Sequence, residues 1–296
     1  MASASEVARC RLGMANLLSN LVKETGEIER RLDIEVDEGE GVSKPEAWQR
    51  EIQKDPSSTF RLVCVQLLRK ARIHALAALR ANETLNVHSL AVQMRPALEC
   101  AGQVVHIFHY LMIAPDFQME RERALGLLTD YLDADYYDTL MRYLKDNEIH
   151  KKLLQTISEA AAMAAMEFGM PEPKARKGKR LRQENKVEML PGGKAWYDHL
   201  SMYFCHGEAN WTGPSWQGGV GPMDITHQFA CAGLMQQLVE QMARMNAYAS
   251  LCPIDDTPVG SRADAALTKL REVMEAASAF RRTVRSASTH TQASEV

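Results

Sequence analysis

Between Thr84 and Ala114 the chain carries two formal charges, Arg95 and Glu99, although 25% of all its residues are charged. A helix drawn through this stretch has almost no polar face to offer to water, so most of its surface must be covered by protein. The two charges are four residues apart, which on a helix brings their side chains one turn from each other. His88 stands seven residues before Arg95, and His106 seven after Glu99. At about 100° per residue, these four side chains fall on one line along the helix. Met94, Leu98, Ala101, Val105, Phe108 and Met112 fall on a different face. Buried charges are costly unless paired, so something inside the protein has to answer this polar line. A second stretch, Ile225 to Val239, carries no formal charge at all. Two near-neutral helices among amphipathic ones predict an all-α, multi-helix bundle with the neutral pair at its centre.

The rest of the chain agrees with that class. Nearly every segment has helical period and none alternates as a strand does. Leu12, Leu17, Leu18, Leu21, Ile28 and Leu32 trace a first helix, and Phe60, Val63, Cys64, Leu67, Ala71, Ala75 and Ala78 trace a second, opening near Ser58. The reading is one helical domain over residues 1–285 with loops at 35–47, 171–193 and 207–222, followed by a disordered tail at 286–296. Pro96 interrupts the neutral helix: either the helix kinks there, or a new helix begins at Pro96 and His88 leaves the polar line.

Several function classes recede on composition. The net charge is −3, which steers the chain to neither nucleic acid nor an anionic membrane. The N-terminus lacks the basic-then-apolar order of a signal peptide, and the apolar runs are too short and too polar for a membrane span. The 6 cysteines are scattered with no Cys-x-x-Cys, as buried thiols of a cytoplasmic protein would be. Metal binding is not expected, since Glu-x-x-His and His-Glu-x-x-His are both absent and Asp224 before His227 reads as a helix cap. No cofactor is implied.

Within the polar line, Arg95 would hold a carboxylate or phosphate bidentately, with His88 beside it. Glu99 would orient the ligand or act as base, and His106 would move protons. The same four residues also fit a structural ion pair with two hydrogen-bonded histidines. A second candidate is the short helix Trp196 to His206, on which His199, Tyr203 and His206 share a face by their four-then-three spacing. His206, just before Gly207, would face Glu99 across a cleft and complete the catalytic set of Glu99, His106 and His206. Tyr203, Trp211 in the following Gly/Trp loop, and His227 on the second neutral helix are taken as ligand contacts. Lys174, Arg176, Lys177, Lys179, Arg180 and Arg182 crowd one basic loop, which would meet nucleic-acid phosphates without base stacking or would simply be solvated.

Arg95-x-x-x-Glu99 on a buried helix, then Leu200-Ser201 leading to His206-Gly207 after Trp196-Tyr197, resembles a pattern in a family of all-helical bacterial proteins of unknown function. That family is similar in architecture to the HEPN-like domains of toxin and phage-defence systems. The resemblance spans about Phe60 to His206. It implies a helical bundle, a homodimer and a stress or antiviral-defence association. HEPN ribonucleases use an Arg followed four to six residues later by His, a spacing found here at Arg69 and His74 and again at Arg285 and His290. Lys70 follows Arg69 where the nuclease pattern favours a small polar residue. The expected function is therefore binding of a small anion or a nucleic-acid phosphate in a polar cleft. The alternatives are a metal-independent ribonuclease or other hydrolase, and a structural partner protein.

Overall fold

Capping residues and apolar stripes set the helix limits seen in the computed structural model, which describes residues 4–36, 41–55, 58–112, parts of 148–159, 187–205, 225–252 and 259–292. Among the described residues all regular structure is helical and there is no strand. The elements are α1 (Ala4–Leu32), α2 (Lys44–Lys54), α3 (Ser58–Glu83), α4 (Val87–Met112), α5 (Gly193–Leu200), a π-helical turn (Ser201–Cys205), α6 (Ile225–Ala249) and α7 (Val259–Gln292). The protein is an all-α, multi-helix bundle. No described helix is long and apolar enough to cross a membrane.

Two compact units divide the chain: one is Met1–Ile28, Leu67–Val105 and Glu184–Val296, the other Glu29–Gln66 and His106–Gln183. In the first unit the two near-neutral helices supply many of the fully buried side chains. Leu90, Ala91, Met94 and Val104 of α4 are fully covered, as are Met235, Leu238, Val239, Met242 and Met245 of α6. Covering a leucine or methionine side chain of this kind contributes about 1.5–3 kcal/mol.

Buried polar groups tie these apolar faces in register. The Thr25 hydroxyl of α1 donates to Leu21 O at 2.7 Å and lies 2.9 Å from Asn246 Oδ1 of α6. Asn246 Nδ2 in turn donates to Leu21 O at 3.0 Å. A slip along α1 or α6 would strand these buried groups without partners, which costs about 1–3 kcal/mol each. Lys269 of α7 reaches Glu24 of α1 at 2.9 Å. α6 and α7 pack along each other, and Arg262 Nη1 donates to Cys252 O at 3.1 Å in the turn between them.

The turn that sends α4 back along α3 is built by its last residues. Asn86 N–H reaches Ala81 O at 2.9 Å and Leu85 N–H reaches Asn82 O at 3.2 Å, the pattern that closes a helix through one left-handed residue. Leu85 takes that position at φ 54°, where glycine is usual, and its buried side chain offsets the backbone cost. Asn86 Oδ1 then caps α4 by accepting from Ser89 N–H at 2.9 Å. Arg11 of α1 donates to Asn82 O at 2.7 Å, so α1 also grips this turn. Past the turn, α4 runs without a break through Pro96. The unbroken helical register keeps His88, Arg95 and Glu99 on one line.

In the second unit, α2 takes up 44–47 of the loop expected at 35–47, and 35–36 and 41–43 are non-helical. The helix begins at Lys44, with Pro45 in its first turn. The Glu46 carboxylate accepts from the Ser43 backbone N–H at 2.8 Å and from the Ser43 hydroxyl at 2.9 Å. Those two bonds hold the Glu46 carboxyl below its ordinary pKa. Ser43-Lys44-Pro45-Glu46 is a capping-box sequence that announces this start. Trp48 and Ile52 of α2 are buried, and Gln49 donates to Thr156 Oγ1 at 3.1 Å. Arg61 places its guanidinium 5.7 Å from the Trp48 ring centroid and donates twice to Leu32 O, at 3.2 and 3.1 Å, where a cation complements the end of α1.

The tail expected to be disordered at 286–296 is helical as far as Gln292, and 293–296 lie outside the described residues. Nothing between Ser286 and Gln292 is glycine or proline, so no residue there stops the winding.

Candidate functional site

Arg95 and Glu99 project from α4 one turn apart, and their Nε and Oε1 atoms are 3.3 Å apart. The element that meets them is α5. Arg95 Nη2 donates to the Tyr197 hydroxyl at 2.6 Å, and Arg95 Cζ stands 4.7 Å from the centroid of the Tyr197 ring. One guanidinium thus makes a charge-assisted hydrogen bond, a cation–π contact and an ion pair. Its side chain nevertheless remains 25% exposed, and that of Glu99 17%.

Local geometry explains why α5 delivers Tyr197 here. Gly192 adopts φ 71°, a left-handed turn that starts the helix. Gly193 follows, pressed so closely on the preceding turn that a Cβ would drive into the Val187 carbonyl oxygen and lie 2.8 Å from Leu190 Cβ. Val187 and Leu190 are buried beneath it. With that start fixed, Tyr197, Leu200 and Phe204 become the buried positions of the segment.

Aromatic rings extend the site away from Arg95. The Phe204 centroid lies 6.0 Å from that of His88 and 6.1 Å from that of His199. Trp196 meets His199 edge-on at 5.7 Å. Phe204 is buried while both histidines are exposed. Partial burial pushes the pKa of His199 below the usual histidine value. Ser201, in the same π-helical turn as Phe204, has a buried hydroxyl with no hydrogen-bond partner among the described residues.

The predicted residues are thus brought together only in part. Arg95 meets Tyr197 of α5 and pairs with Glu99 along α4, and His88 lies beside Phe204 of the π-helical turn. His106 is buried on the stretch of α4 that belongs to the second unit. His199, Tyr203 and His206 were expected on one α-helical face, and the backbone over Ser201–Cys205 is a π-helical turn, bonded to the fifth residue. His206, Trp211 and the basic residues Lys174, Arg176, Lys177, Lys179, Arg180 and Arg182 lie outside the described residues. His227 sits in the first turn of α6.

Sequence reasoning did not place Tyr197 at Arg95, nor Phe204 between His88 and His199. A signal for the inward positions existed: Tyr197, Leu200 and Phe204 follow a three-then-four spacing and form the more apolar face of the segment.

Cys10, Cys64, Cys100, Cys231 and Cys252 carry thiols, not disulfides. Burial raises the Cys231 thiol to about 11, far from a reactive thiolate. Among the described residues no group of three His, Cys, Asp or Glu side chains is placed to hold a metal ion. No family model, curated protein or solved structure matches the chain.

Proposed function

We propose that Arg95, held by Glu99 and Tyr197, is an anion-binding centre and that its ligand carries a phosphate or carboxylate group. One observation supports this above the others: the guanidinium is oriented by a carboxylate and a phenol, yet a quarter of its side chain still reaches solvent. A donor fixed in advance loses little freedom when an anion arrives. Glu99 tempers the positive charge, so the site favours an anion that brings more than one acceptor oxygen. The HEPN-like, defence- or stress-associated role belongs to this proposal, and rests on Arg95-x-x-x-Glu99 and on the Trp196 to Ser201 motif.

Inorganic phosphate titrated into the protein should raise Tm, and the rise should continue with the logarithm of its concentration above Kd. Arg95→Met should abolish that rise, and Arg95→Lys should leave only part of it, because an ammonium lacks the planar fork. A wild-type Tm indifferent to phosphate and to simple carboxylates would end the proposal.

A metal-independent ribonuclease is a second reading, favoured by one contact. His74 Nδ1 lies 2.8 Å from Gln93 Oε1. With the amide oxygen accepting, the proton sits on Nδ1 and Nε2 keeps the lone pair a general base needs. Arg69→Ala and His74→Ala should then each remove RNA cleavage by the purified protein; cleavage that survives both would exclude this site.

A further inference from the structure

We infer that the ligand joining Arg95 is a nucleoside phosphate, with its base stacked on the histidine rings gathered around Phe204. This rests on the anion reading of Arg95 and adds the second half of the molecule. His88 and Arg95 are two turns apart on α4, a separation of roughly 10 Å at 1.5 Å per residue. A base at one end and a phosphate at the other span a distance of this order. His88 comes from α4 and His199 from α5, and the two exposed rings lean on one buried phenyl ring, Phe204. Exposed aromatic rings supported from behind form a stacking surface, since any base presents a π-face to them. Trp196 braces His199 edge-on. The lowered pKa of His199 keeps its imidazole neutral near pH 7, which suits stacking better than a second cation would.

An ordinary structural role accounts for less of this. Tyr197, Leu200 and Phe204 already anchor the segment through burial. His88 and His199 add little to that anchoring, because their rings face solvent.

Calorimetric titration with three probes tests the inference: inorganic phosphate, adenosine 5′-monophosphate, and a single-stranded oligonucleotide of five residues. Adenosine monophosphate should bind at least tenfold more tightly than phosphate, in keeping with the strength of base–aromatic stacking. His88→Ala with His199→Ala should reduce its affinity to that of phosphate, while phosphate binding stays within about twofold of wild type. Both positions are exposed, and unchanged helical circular dichroism would show that the double variant is folded. Tighter binding of the oligonucleotide than of the mononucleotide assigns the nucleotide to a strand; equal binding assigns it to a free nucleotide. Equal affinity for phosphate and adenosine monophosphate would overturn the inference and leave the anion site standing. Nucleotide binding untouched by the double variant would overturn it as well. Binding of none of the three would remove both.

Discussion

α4 and α6 are alike in composition and unlike in what they do with it. Each helix is almost without charge, and each carries one Arg and one Glu a turn apart. In α6 the order is Glu240 then Arg244, the one that suits the helix dipole. Glu240 also accepts from Gln236 at 2.8 Å, and the two charged side chains are 6% and 15% exposed. In α4 the order is reversed, Arg95 before Glu99, and the pair is more open, at 25% and 17%. Arg95 takes its further contacts from Tyr197, which arrives from a distant part of the chain. The α6 pair is the more enclosed of the two and is joined by Gln236 of its own helix, as a structural pair should be. The α4 pair is less favourably ordered and is held by a separate element at the edge of solvent, as a group meant to meet a ligand should be. A near-neutral helix with one ion pair is therefore not by itself a sign of function; the degree of enclosure separates the two cases.

The sharpest way to break this comparison is to remove each acid in turn. Glu240→Ala removes the carboxylate that buried Gln236 and the Arg244 guanidinium both face, and should cost about 3 kcal/mol in urea unfolding. Next in size is Gly193→Ala, which forces a methyl group against the Val187 carbonyl and should cost about 2 kcal/mol. Since it unseats α5, it should also weaken phosphate binding through Tyr197, an effect that Glu240→Ala should not share once the protein is folded. Glu99→Ala, in the more open pair, should cost only about 1 kcal/mol or less. Equal losses for Glu99→Ala and Glu240→Ala in the same titration would erase the distinction between the two helices. The smallest effect expected is a pH dependence at His199. Its folded pKa lies below the ordinary histidine value of 6.5 because burial disfavours the charged ring. Stability from this group is thus complete above that value and falls as acid carries the pH down through the folded pKa. Proton NMR of the imidazole should show a midpoint below 6.5, and an unshifted midpoint would mean that Trp196 and Phe204 do not shelter the ring.

Much of α4 was legible. The missing charges marked it as buried, the four-residue spacing paired Arg95 with Glu99, and the seven-residue spacing put His88 on the same line. The opening of α2 was also written out, in Ser43-Lys44-Pro45-Glu46, although an acidic, glycine-bearing approach to it reads as loop. Leu85 was harder to see, since a leucine gives no sign of φ 54°. Its left-handed turn follows from the backbone bonds that close α3 and from the burial of its side chain. The π-helical turn at Ser201–Cys205 was equally silent, because its composition would serve an α-helix as well.

What the chain determines on its own is local: which stretches wind into helices, where a cap begins one, and which charges stand a turn apart. Those properties come from interactions across three or four residues, so they can be read in order along the chain. Which ring lies against Arg95 was decided only in three dimensions. Tyr197 reaches that guanidinium because Gly193 packs on Val187 and Leu190 and so aims α5, and the outcome depends on which surfaces of the folded chain fit together. No spacing along the sequence records that fit.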